Sequence, residues 1–520
     1  MEFIKKNWKT ILFYIILFAF LLEVTTVASN YDMDLWARLI AGKGFIQTGH
    51  VLKSDFLSYT PTNVWYDHEW GSGVIFYLVQ HYFSVLGIFF LQVFLAFALF
   101  FTISRVINMR GVKTSTPFNF LFYFFTYHSI NIVIDNPIRC QLFSFLLFSI
   151  FLYILELSRH GKNKPLILLP FLMILWNNLH GGCVSGIGLI AIYALGEALN
   201  HKDFKKYLFV LFPSIAFLII NPWGLSYLKF LLFATTMPRP FVVEWRGLYA
   251  TSGFINFKIF MYIMLLTEVC KVFGKFSYKN LDKTKFLALL MTFGLVLQHV
   301  KMLPFFSITS ACFVYDDFYS LYNLSMGKLK KLLHIPSEWF NESFSLKKTM
   351  SIYIIVIASV FGFFMTKGIK PLLNPSLYPL REIEFLRVNN LKGKLFVNFG
   401  YGSYASYKLY PNIKIFMDGR YEEVYPVKYV DIMKQFYIVQ TKNPIVLNYF
   451  TPDYFIIEKF YPAYNFLKSK KEWKLVFDSP DFGLFIRKDK LKKHYIQPSN
   501  HIKYYREHAF DTNINFKKSS

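Results

Sequence analysis

Two short clusters near the start of the chain carry the residue types that proton transfer requires. Tyr31-Asp32-Met33-Asp34-Leu35-Trp36-Ala37-Arg38 sets two carboxylates beside an indole and a guanidinium. Trp65-Tyr66-Asp67-His68-Glu69-Trp70 places an imidazole between two more carboxylates. Both belong to a polar loop, 30–73, that follows the first apolar run. A carboxylate just outside a membrane helix reaches lipid-headgroup depth yet stays hydrated. Asp32 or Asp34 could therefore act as general base, taking a proton from an acceptor hydroxyl while a sugar leaves its lipid phosphate. Trp36 and Arg38 would add a stacking surface and a phosphate-pairing cation. The plainer alternative is that Asp, Asn and Tyr are ordinary interfacial residues at a helix exit.

His68 and Glu69 suit proton transfer or metal coordination, although a His-Glu pair without a second spaced histidine is a weak metal signal. Asp67 can instead cap the helix that starts near Gly71. Trp70 joins the substrate-binding candidates. Further along, Arg139, His180, Arg246 and Lys301 each stand in or beside a connection between apolar runs. Cations there suit a phosphate-linked lipid, with snorkelling to the interface as the alternative.

The elements that must hold these groups are mostly membrane helices. The 520 residues are 54% hydrophobic and 20% aromatic, which marks a polytopic membrane protein rather than a soluble one. The net charge of +25 is spread over short loops and the C-terminal region, so a nucleic-acid partner has no support. Cys140, Cys183, Cys270 and Cys312 form no CxxC pair, so a disulfide framework or a zinc site has no support. No cofactor is established from the sequence, and a divalent metal is left open.

After a retained first helix from Thr10 to about Ser29, apolar runs at 87–104, 117–134, 139–157, 165–179, 183–199, 206–221, 256–273, 284–299, 302–318 and 350–368 predict about eleven spans. Every second connection is basic: Arg105 to Lys113, Arg159 to Lys164, Lys202 to Lys206, Lys271 to Lys285 and Lys328 to Lys348. That phase puts the N-terminus in the cytoplasm, and the opening loop and everything after Lys370 outside. It also requires 73–86 to be an interfacial or re-entrant helix rather than a separate span.

From about Pro371 the pattern changes to that of a small α/β domain. Strands are predicted at 394–398, 413–418, 454–458, 473–478 and 483–487, with helices near 378–389, 427–439 and 462–470. The expected organisation is a membrane domain, 1–369, with the outer loop 30–73, an extracytoplasmic domain, 370–490, and a basic, poorly ordered tail, 491–520. Asn398-Phe399-Gly400-Tyr401-Gly402 and Phe416-Met417-Asp418-Gly419-Arg420 follow the first two strands, where ligands bind in open α/β sheets, but Asp-Gly is equally a turn signal.

The opening helix, the Asp-x-Asp-Leu-Trp loop, the Asp-His-Glu-Trp close and the many spans resemble the GT-C superfamily of membrane glycosyltransferases. Asp32 and Arg38 stand at the separation of the Asp and Arg in the first-loop motif of oligosaccharyltransferase catalytic subunits, with Met33 where a proline usually follows. The chain is also similar to a large family of bacterial membrane proteins, through Asn178-Leu179-His180-Gly181-Gly182, Asn221-Pro222-Trp223-Gly224 and Phe416-Met417-Asp418-Gly419-Arg420. It departs from that family at Ala37-Arg38 and at Gln298-His299-Val300-Lys301.

The resemblance implies a membrane α-helical, GT-C-like bundle with a C-terminal extracytoplasmic α/β domain, in the inner (cytoplasmic) membrane. It implies an inverting transfer of sugar from a polyprenyl-phosphate donor to a glycan, lipid or protein acceptor, with Asp32 as first choice of base and Asp34 as second. A non-catalytic scaffold for envelope polysaccharide assembly or export is the alternative.

Overall fold

A computed structural model describes residues 2–27, 32–109, 111, 116–134, 138–237, 239, 242–250, 255, 258, 259, 261–266, 281–332, 358, 362 and 378–516. The expected span at 350–368, much of that at 256–273, the loop lysines 271, 275, 279, 347 and 348, and the boundary at 369/370 lie outside the described residues. The chain divides into two compact units, one of residues 1–29 and 89–370, the other of 30–88 and 371–520. The opening loop therefore belongs with the C-terminal domain and not, as its place in sequence suggests, with the helices.

The first unit is helical. Among the described residues of the chain, three helices are long and apolar enough to cross a membrane, Trp70–Asn108, Gln141–Arg159 and Gly181–Leu199, and shorter apolar helices include Lys164–Leu179, Leu225–Thr236 and Val300–Phe313. About eleven spans are not confirmed among the described residues, and some of the helices there are interrupted locally. Pro165 opens a 3-10 turn, Lys164–Ile167, ahead of the helix Leu168–Leu179, and Pro213 lies inside Lys205–Ala216, which runs on into another 3-10 turn, Phe217–Ile219. Arg159 ties three helices together through Glu156 at 3.1 Å, Glu197 at 2.9 Å and Asp282 at 2.8 Å. The helix Trp70–Asn108 contains one residue outside helical geometry, Ser84, at φ 56 and ψ −150. Such backbone is costly for a residue with a Cβ, and it falls inside the stretch 73–86 that was read as distinct from the following span.

The second unit is built on a five-stranded mixed sheet. β1 (Gly393–Phe396), β2 (Ile413–Ile415), β3 (Tyr454–Glu458), β4 (Trp473–Asp478) and β5 (Phe482–Arg487) lie in the order β2-β1-β3-β5-β4. β1 runs parallel to β2 and β3, and β5 runs antiparallel to β3 and β4. The central β3 is buried along its whole length, as its nearly unbroken apolar sequence requires. Phe455 on β3 packs on Phe396 at 5.2 Å, Phe436 at 5.0 Å and Trp473 at 4.7 Å. The helix Phe399–Leu409 makes the crossover from β1 to β2; Asn398 caps it by accepting the Gly400 N–H at 3.2 Å. Gly402 is needed there, because a Cβ would stand 2.3 Å from the Met417 carbonyl oxygen.

The tail is ordered through residue 516, contrary to expectation. It forms the helix Ile502–Glu507 and buries Tyr505, Ala509 and Ile514. The buried Lys408 ammonium donates to the carbonyls of His508 at 2.6 Å, Ala509 at 3.3 Å and Asp511 at 3.0 Å. Burial pushes Lys408 down to about 8. These bonds and the apolar burial offset the entropy that a polar tail otherwise retains.

Candidate active site in the opening loop

The opening loop is fastened to the edge of the sheet by its backbone. Ser58 bridges Ile415 in parallel, with Tyr59 N–H donating to the Ile415 carbonyl at 3.0 Å and Ile415 N–H to that of Leu57 at 3.0 Å. The open side of edge strand β2 is thereby paired. Two more bonds follow, Asn63 N–H to Val424 O at 2.8 Å and Tyr66 N–H to Glu423 O at 3.2 Å.

Arg420, which the sequence placed in either a turn or a site, locks this attachment. Its Nε donates to Asp418 at 2.9 and 3.0 Å, one Nη donates to Asp55 of the loop at 2.7 Å and to the Tyr425 hydroxyl at 3.1 Å, and the guanidinium lies 4.6 Å from the Trp65 ring centroid. All three charged side chains are 0–1% exposed. Burial would raise Asp55, but Arg420 and the Ser58 bonds hold its carboxyl below the usual range.

A second buried cluster centres on Arg38. Its guanidinium pairs with Asp67, with both oxygens of Glu423 at 3.1 and 3.0 Å, and with Glu69 at 3.4 Å. Trp65 Nε1 donates to Glu423 at 3.0 Å, and His68 stands with Nδ1 3.2 Å from Glu423 and Nε2 3.7 Å from Glu69. Arg38 is only 3% exposed, so the expected phosphate-pairing cation is held by carboxylates of its own chain. Three carboxylates are a donor set that a divalent cation could use, but here the guanidinium stands among them.

Three carboxylates facing one guanidinium cannot all ionise cheaply. Burial first, and then Glu423, push Asp67 up to about 6 against the pull of Arg38, whereas Arg38 and His68 overcome burial to bring Glu423 down to about 2. Asp67 also accepts the Glu69 N–H at 3.0 Å, in the turn just ahead of the helix Trp70–Asn108.

A pH dependence follows. Below the ordinary value of 3.8 Asp67 carries its proton folded or unfolded, and between 3.8 and about 6 only the folded state holds it, so rising pH removes stability across that window. Glu423 acts only below its ordinary 4.5. The Asp67 contribution to stability should therefore fall by about 2 kcal/mol from pH 4.5 to pH 7, and Asp67→Asn should lessen the slope of a thermal melt series, to which Glu382 and Glu458, raised by burial to about 7, still contribute.

Asp32 and Asp34 open the helix Leu35–Thr48. Asp32 is 7% exposed and accepts the Asp34 N–H at 2.9 Å, while Asp34 is exposed. A Cβ on Gly419 would come within 2.7 Å of the Asp34 carboxylate, so glycine in the Asp-Gly-Arg turn lets that carboxylate lie against it. Trp36, expected as a stacking surface, is fully buried among Tyr404, Tyr407 and Phe510 and donates to the Tyr378 hydroxyl at 3.3 Å. Trp70 packs against Phe45 at 5.1 Å.

The remaining candidates lie in the first unit. Arg139 and Lys301 both reach Glu244, at 3.2 and 3.5 Å, so three connections singled out from the sequence meet there. Burial raises Glu244, but Lys301 and Arg139 outweigh it and hold the carboxyl low. Lys301 and Arg239 lie 5.2 and 3.9 Å from the Trp245 ring centroid, and the Arg246 carbonyl accepts the Val300 N–H at 2.9 Å. His180 Nδ1 accepts from Gly182 N–H at 2.9 Å and is 2.7 Å from Ser144 Oγ, which itself accepts from Trp176.

Sequence reasoning missed Glu423, Asp55 and the pairing of Arg420. The acid pair Glu422-Glu423, one residue after Asp-Gly-Arg, is the available signal.

No family model matches the chain, and no curated protein matches it. Among solved structures, the crystal structure of the apo oligosaccharyltransferase of Archaeoglobus fulgidus is similar with a TM-score of 0.56 at 9% identity, over 88% of this chain and 70% of that one. The oligosaccharyltransferase AglB of the same archaeon, in complex with an inhibitory peptide and a dolichol-phosphate, gives a TM-score of 0.57 at 11% identity, over 97% and 77%. The fold resembles that of these oligosaccharyltransferases. A helical, apolar part joined to a small C-terminal sheet domain is common to this chain and AglB.

Proposed function

We propose that this GT-C-like protein transfers a sugar from a polyprenyl-phosphate donor to an extracytoplasmic glycan, lipid or protein, with inversion. The acceptor oxygen attacks the anomeric carbon, the bond to the phosphate oxygen breaks with its electron pair on phosphate, and the acceptor proton passes to a carboxylate of the opening loop. The observation that carries this reading is Asp34, an exposed carboxylate held at a helix start against the Asp-Gly-Arg turn of the sheet domain. Exposure ranks Asp34 ahead of the more buried Asp32, which orients it.

Arg139, Arg246 and Lys301 are the cations for the phosphate, with Glu244 setting the first and last in place and His180 as a polar neighbour in the same unit. The basic connections support an inner-membrane protein with a cytoplasmic N-terminus. AglB's recorded complex with a dolichol-phosphate and a peptide supports the same class of donor and acceptor here.

A scaffold reading is favoured by one feature, the burial of Asp55 and Asp67 in ion pairs that hold the loop to the domain. A deletion strain separates the two. Loss of the transferase should leave a polyprenyl-linked sugar accumulating that the wild-type chain, supplied in trans, clears. Unchanged lipid-linked sugar pools would overturn the assignment.

A further inference from the structure

The Arg38 cluster has a buried part and a reachable part. Side chains of Arg38, Asp67 and Glu423 are 1–5% exposed, whereas His68 and Glu69 are 17% and 12% exposed. A substrate could therefore touch only the imidazole and Glu69. Glu423 is the group whose position accounts for how that imidazole is set. Its carboxylate plane is fixed by the forked contact from Arg38 Nη2 and by Trp65 Nε1, and its Oε1 then lies 3.2 Å from His68 Nδ1. A carboxylate that close to Nδ1 acts on the charge of the ring, the kind of neighbour by which histidines are set for proton transfer.

We propose that Glu423, supplied by the C-terminal domain, is a positioning residue for His68 in the transfer reaction. This rests on the transferase reading for its consequence, but its geometry can be tested without it. Glu423 and Glu69 are acidic neighbours of His68, and Arg38 pairs with both of them and with Asp67. Removing the Glu423 charge takes away one acidic neighbour of the ring.

The test is the rate at which diethyl pyrocarbonate modifies His68 in the full-length protein in detergent, read by mass spectrometry of the peptide that contains it, between pH 5.5 and 8. Glu423→Gln should raise that rate at pH 6 by roughly three- to tenfold, because loss of an opposite charge within hydrogen-bonding distance favours the neutral, reactive ring. Glu423→Asp should stay near wild type. His68→Gln, which leaves Glu423 and its Arg38 contacts intact, identifies the signal and guards against a Glu423→Gln protein that does not fold. In a transfer assay with a synthetic short-chain polyprenyl-phosphate sugar, Glu423→Gln and His68→Gln should lower kcat alike, leave KM unchanged, and not add in the double variant.

Unchanged His68 reactivity in folded Glu423→Gln, or additive losses, would overturn the positioning role. If Glu423→Gln does not fold, a wild-type His68 whose modification follows the same pH midpoint as the exposed His494 would overturn it. A wild-type protein that transfers nothing, while His68 reactivity still depends on Glu423, would overturn the transferase reading and the catalytic consequence but not the geometry.

Discussion

Asp34→Asn is expected to lower sugar transfer by about 10²–10⁴-fold, the usual contribution of a positioned general base. Asparagine keeps the shape of the side chain against Gly419 and removes only the capacity to take a proton, so folding in the membrane should be unchanged. Asp32 divides into two cases. Its Oδ1 accepts the Asp34 N–H at 2.9 Å, and an asparagine amide oxygen can still accept that bond. Asp32→Asn should therefore retain much of the activity if Asp32 only orients Asp34, while Asp32→Ala should lose more. If Asp32→Asn is the dead variant and Asp34→Asn is active, the order of the two reverses. Full activity in the double Asn variant would remove the opening loop from the chemistry altogether. The measurement is release of polyprenyl phosphate from a labelled donor.

Arg420→Met is expected to have the largest effect on stability. Methionine approximates the volume and leaves Asp418 and Asp55 buried with their cation gone, at 0% and 1% exposure. Breaking a buried ion pair from one side costs about 3–5 kcal/mol. Because Asp55 lies in the opening loop and Asp418 beyond β2, the loss should appear first as detachment of residues 53–66. Limited proteolysis should cut the variant in that loop under conditions where the wild type is intact. Equal resistance would mean that the edge pairing of Leu57, Ser58 and Tyr59 with Ile415 holds the loop by itself.

Much of the sheet domain was legible in the sequence. Tyr454–Glu458 and Trp473–Asp478 fall where the alternation and apolar runs put them, because strand patterning is local. The crossover helix Phe399–Leu409 was not, since Gly400 and Gly402 lower helix propensity and the reason for Gly402, its approach to the Met417 carbonyl, is tertiary. In the site, Arg38, His68 and Glu69 do meet, but the guanidinium faces carboxylates of its own chain rather than the phosphate its sequence context suggests. Its partner Glu423 lies 385 residues away, and no local pattern marks a pairing at that separation. Trp36 was misjudged for the same reason, its hydroxyl partner Tyr378 being 342 residues distant.

These separations bear on how the protein is made. The opening loop leaves the ribosome long before β2, Glu423 and Arg420 exist, so during synthesis Asp55 lacks its guanidinium, and Arg38 has Asp67 and Glu69 in the same loop but not Glu423, until nearly the whole chain has been delivered. A chain that stops short of residue 420 would reach the membrane with its first loop lacking the strand and the charges that complete it. Quality control acting on that loop would then read, at the start of the polypeptide, whether its end has arrived.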